Sequence, residues 1–83
     1  MVSAVVPPEE LEETAERVAA DLVAGAPLAQ RFIKSGLARA TTMTFEQALA
    51  WEAQTQAVLL GSTDVGEGAA AFLDKREPRF EGR

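Results

Sequence analysis

Apolar side chains recur along this chain at three- and four-residue intervals, the mark of helices with one oily side. Leu11, Ala15, Val18, Ala19 and Leu22 form the first such stripe. Pro8 suits a first helical turn, and the glutamates after it favour the positive end of the helix dipole, so a helix is predicted over residues 8–25, stopping at Gly25. Pro27 opens a second helix, 27–40, with Ala29, Phe32, Ile33, Gly36, Leu37 and Ala40 on its stripe. Glycine inside a helix costs up to about 1 kcal/mol relative to alanine, and Gly36 is read as a point of close helix packing. After the break at Thr41-Thr42-Met43, Thr44 and Gln47 fit a capping box at the start of a third helix, 44–60. Its stripe is Phe45, Leu49, Ala53, Ala57 and Leu60. Trp51 and Val58 lie off that stripe, which predicts neighbours on two sides. A fourth helix, 64–76, carries Val65, Ala69, Phe72 and Leu73. Asp64 and Glu67 suggest a second capping box, and Pro78 enforces the stop. Gly66 and Gly68 weaken this helix, so tertiary contacts must hold it. Residues 77–83 form an extended tail. Residues 1–7 form an extended segment, and the β-branched run before Pro7-Pro8 reads as an edge strand whose partner lies outside this sequence. The fold class is all-α, with about four helices and a short N-terminal extended segment.

Eighty-three residues allow one small domain at most, and such a domain is marginal alone. Sixteen alanines permit close helix approach but bury little area each. The net charge of −5 sits in the first thirty residues, where six acidic groups face Arg17 alone. This acidity argues against nucleic acid as a partner. No apolar run approaches a membrane span, and the start of the chain lacks the features of a secretion signal. A cytoplasmic location is expected.

The absence of histidine removes the commonest general base and the commonest metal ligand. The absence of cysteine removes disulfides and thiolate sites. The pairs Glu9/Glu13 and Glu12/Glu16 fall at i, i+4 spacing but on the polar side of a helix, where water screens them. Glu46, Glu52 and Glu67 are lone carboxylates, and Glu67 has a capping role to fill. Gly66-Glu67-Gly68 is too short for a phosphate loop and follows no strand. No catalytic residue, metal site or resident cofactor is expected. One group remains: Lys75, Arg76, Arg79 and Arg83. Cations at a helix C-terminus either stabilise its dipole or meet the phosphates of a ligand. Phe72 shares a face with Lys75, and either stacks on a ligand ring or belongs to the core.

The stretch Glu67-Gly68-Ala69-Ala70-Ala71-Phe72-Leu73-Asp74-Lys75-Arg76-Glu77-Pro78-Arg79-Phe80 resembles the closing segment of the enoyl-CoA hydratase/isomerase (crotonase) family. Val5-Val6-Pro7 with the acidic helix, Ala26-Pro27-Leu28-Ala29 with Lys34 and Leu37, and Phe45-Glu46-Gln47-Ala48-Leu49-Ala50 with Glu52 resemble the stretches before it. The similarity runs from about residue 2 to residue 82. It implies the C-terminal helical part of a crotonase-like (ClpP/crotonase) fold, without the α/β spiral core that supplies the family's oxyanion hole and catalytic glutamates. Gly66 departs from the larger polar residue common there. The resemblance implies packing on a missing N-terminal core or on like subunits, in trimers or hexamers, and a border to the acyl-CoA site. It places Phe72 and Lys75 at the CoA nucleotide, and makes acyl-CoA the substrate of the parent family. The parent reaction is expected to be hydration or isomerisation of an enoyl-CoA, with this chain alone not catalytic. The alternative is a free-standing helical interaction module that self-associates or docks on a partner protein.

Overall fold

A computed structural model describes residues 2–83; Met1, the first residue of the predicted extended segment, lies outside the described residues. Residues 2–7 carry no regular structure, and among the described residues there is no strand, so the predicted edge strand is extended chain without a ladder. Pro8 at the first position makes a tight start. A 3-10 turn, Pro8–Glu10, closes with the Glu10 N–H on the Pro7 carbonyl at 3.0 Å. Four α-helices follow: α1 Leu11–Ala24, α2 Pro27–Arg39, α3 Phe45–Leu60 and α4 Thr63–Asp74.

Each corner has a local cause. Ala26 is extended, as the residue before a proline prefers, and this ends α1. The Gln30 side-chain amide then donates back to the Leu22 carbonyl and holds α1 to the start of α2. Thr44 and Gln47 make the predicted capping box. The Gln47 N–H reaches Thr44 Oγ1 at 3.2 Å, and the Thr44 N–H reaches Gln47 Oε1 at 2.9 Å.

α2 packs on α3, and α3 on α4, while α1 lies against little beyond its own 3-10 turn. At the α2–α3 contact the Trp51 ring meets Phe32 edge-on, with centroids 6.5 Å apart. The Arg39 guanidinium lies over the same indole at 4.8 Å. A Cβ at Gly36 would sit 2.9 Å from Trp51 Nε1, so the glycine is the seat of the ring.

The predicted stripes do not form the core. Leu22 is 57% exposed, Leu37 70% and Phe45 73%. On α2 only part of the predicted stripe turns inward, Phe32 and Gly36 among it, while on α3 the inward face is Ala48, Trp51, Thr55 and Leu59 rather than the predicted stripe. Among the described residues Ala71 is the one buried hydrophobic side chain. The physical reason is dimensional. The molecule measures 43 × 39 × 18 Å, and a helix with its side chains is about 10–12 Å across, so the helices form little more than one layer. A core needs at least two layers.

Candidate functional site

α4 and the tail behind it hold the residues singled out for ligand contact. The cap of α4 is Ser62, whose Oγ accepts from the Val65 N–H at 3.4 Å. The capping box predicted from Asp64 and Glu67 is therefore not formed. Both carboxylates point to the returning tail. Asp64, 5% exposed, accepts from the N–H groups of Glu81 at 2.7 Å and Gly82 at 2.9 Å. Glu67 accepts from both terminal nitrogens of Arg76, at 2.7 and 3.0 Å, and from the Arg79 N–H at 2.6 Å. These bonds, Arg76 first and the Arg79 N–H second, pull the Glu67 carboxyl down to about 2. The Arg76 guanidinium is held charged in turn.

The far end of α4 closes by hydrogen bonds from the Lys75 N–H to the Phe72 carbonyl at 3.4 Å and from the Arg76 N–H to the Ala71 carbonyl at 3.1 Å. This is the Schellman pattern, and its turning residue is usually glycine. Here it is Lys75, at φ 54° and ψ 42°, the left-handed region. A side chain there costs about 1–2 kcal/mol, and such strain gathers at sites where the side chain has a use.

Phe72 is 84% exposed, so its alternative reading as a core residue fails within this chain. It stands beside Lys75 at the helix end. Arg76 is engaged with Glu67 and, at 3.4 Å, with Asp74; Arg83 pairs with Glu81 at 2.6 Å. Among the described residues Lys75 and Arg79 form no ion pair. Lys75 follows Phe72 by three residues, but its left-handed turn takes it off the helix. Both side chains are exposed, so each is open to a ligand.

Sequence reasoning missed the tail anchors. The available signal was the basic cluster beyond the helix stop, which needs counter-charges on the helix it folds back to. It also missed an open apolar groove of about 680 Å³ between α2 and α3, walled by Phe32, Leu37, Ala48, Trp51 and Leu59, with Glu52 and Asp64 at its edge. Among the described residues no three ligating side chains gather as a metal group, and no helix is long and apolar enough to cross a membrane.

The profile of the enoyl-CoA hydratase/isomerase family matches residues 1–83. Among curated relatives, the 2,3-dehydroadipyl-CoA hydratase of Escherichia coli K12 is 35% identical over 83 residues, all of this chain and 32% of that protein. The 1,2-epoxyphenylacetyl-CoA isomerase of the same organism is likewise 35% identical over 83 residues, again 32% of its length. The chain thus spans about a third of the curated relatives it matches. Among solved structures, an enoyl-CoA hydratase from Polaromonas sp. JS666 superposes with a TM-score of 0.90 at 36% identity, over 96% of this chain and 31% of that one. An enoyl-CoA hydratase from Bacillus anthracis gives a TM-score of 0.89 at 30% identity, over 95% and 31%.

Proposed function

The chain belongs to the enoyl-CoA hydratase/isomerase family, and from that membership we propose that it is the C-terminal helical part of an acyl-CoA-processing enzyme, closing over a catalytic body that lies outside these 83 residues. Its work is packing, subunit assembly and bordering the acyl-CoA site. The parent reaction is hydration or isomerisation of an enoyl-CoA, in keeping with the names of the relatives. Phe72 would stack on the nucleotide end of CoA, and the Lys75 ammonium would meet its phosphate. The oxyanion donors and the proton-handling carboxylates would come from the missing body.

The observation that carries this reading is uncovered surface. A globular monomer of 8.8 kDa exposes about 4,800 Å², whereas this chain exposes 7054 Å². The surplus, on the order of 2,000 Å², is what one side of a large permanent interface covers. Exposed apolar side chains of all four helices, Leu22, Leu37, Phe45 and Phe72 among them, lie in it.

Two measurements test the proposal. The purified 83-residue chain is incubated with crotonyl-CoA and enoyl absorbance is followed; no loss is expected, and clear turnover would place the chemistry in this chain and overturn the division of labour. Light scattering with a thermal melt then reports on the missing body. Self-association or a broad, weakly cooperative melt is expected. A monomer that melts sharply would count against both the missing body and the docking-module alternative.

A further inference from the structure

The two buried residues among the described ones, Asp64 at 5% exposure and Ala71 at 2%, both belong to α4. Around them residues 62–83 close on themselves. The Thr63 N–H donates to the Arg83 carbonyl at 2.8 Å and the Asp64 N–H to the same oxygen at 3.3 Å, with the Thr63 hydroxyl as a third donor. The end of the tail thereby satisfies backbone donors that a helix start leaves without partners. Asp64 grips the tail one residue earlier, through Glu81 and Gly82, and Glu67 grips it earlier still, through Arg76 and Arg79. The Phe80 ring lies on Gly68 in the middle of the helix, 3.6 Å from where a Cβ would stand. Gly82 takes φ 76°, the left-handed region that lets the tail turn into this position. Outside this unit α4 packs on α3, Ser62 bonds the Leu59 carbonyl at 2.7 Å, and a Cβ at Gly82 would stand 3.4 Å from Pro27 Cβ.

We infer that α4 and the tail are a latched unit that keeps its order independently of how α1, α2 and α3 are packed. Asp64 is the bolt: a buried carboxylate with two backbone donors that only the returned tail supplies. The consequence goes beyond the proposed role in a larger enzyme. The face carrying Val65, Phe72 and Leu73 is shaped before anything covers it, whereas α1 is tied by little more than its own 3-10 turn and the Gln30 amide.

Amide hydrogen exchange on the whole 83-residue chain tests this. Amides of 63–76 and 81–83 should exchange at least about tenfold more slowly than those of α1. Asp64→Ala should bring that protection to within about twofold of α1 while leaving α2 and α3 at their wild-type rates. Leu73→Gln, on the exposed side of the same helix, should leave the pattern intact. Exchange of 63–76 as fast as that of α1 would overturn the inference. So would an Asp64→Ala variant in which α2 and α3 lose protection together with α4, since the unit would then not be independent.

Discussion

At the scale of single residues, Glu67 has the clearest chemistry. Its folded value of about 2 lies below the ordinary 4.5, because Arg76 and the Arg79 N–H favour the carboxylate. A lowered carboxyl contributes stability that is fully present above the ordinary carboxylate range and is lost as pH falls through about 2. The charged groups around it are Arg76 and Arg79, with Asp74 sharing Arg76. A carboxyl NMR titration should therefore place the Glu67 midpoint near 2, and Glu67→Gln should loosen residues 76–79 at neutral pH. Lys75 predicts the opposite pairing of effects. Lys75→Gly relieves left-handed strain worth about 1 kcal/mol, so the amides at the end of α4 should exchange more slowly. If Lys75 meets the CoA phosphate as proposed, the same change in an assembled enzyme should raise KM. Trp51 is the sole tryptophan, and its indole occupies the space a Cβ at 36 would need. Gly36→Ala offers about 1 kcal/mol of helix propensity but displaces the ring. Red-shifted fluorescence without a gain in stability is the expected outcome.

At the scale of elements, the sequence was legible where a cause is local. Thr44 and Gln47 announce the start of α3 because a capping box needs only its own four residues. Thr44→Ala should cost about 1 kcal/mol and speed exchange of the first turn of α3, as amide exchange would show. Pro27 likewise marks a start through its own geometry. Asp64 and Glu67 misled for the same reason seen from the other side. Acidic residues in a first turn suit a cap, but their partners stand up to 18 residues away along the chain, and no spacing rule reaches that far. The end of α4 at Asp74, ahead of the predicted residue 76, follows from Lys75 turning left-handed, which its residue type gives no reason to expect. The helix face expected to be shared by Phe72 and Lys75 assumed a helix running through residue 76, whereas Lys75 turns left-handed just past its end.

At the scale of the whole molecule, the periodicity told which residues share a face but not which face meets a neighbour. Leu22, Leu37 and Phe45 are apolar, evenly spaced and exposed. On the proposed function, they are the positions that meet a body beyond this chain. The radius of gyration, 15.9 Å, against about 12 Å for a compact chain of this length, states the same thing in one number. A dye that fluoresces in apolar surroundings should bind the isolated chain strongly. Addition of a relative shortened to its remaining two-thirds should displace that dye, and a titration showing no displacement would count against complementary fit.

The backward fold of the tail bears on how this polypeptide is best handled in the laboratory. The Arg83 carbonyl accepts from the Thr63 and Asp64 N–H groups and the Thr63 hydroxyl at the opening turn of α4. An affinity handle spliced directly after that residue would pry at the Thr63 and Asp64 amides. The opposite terminus, where Val2 and Val5 stand in open solvent, would carry the same handle without disturbing its host.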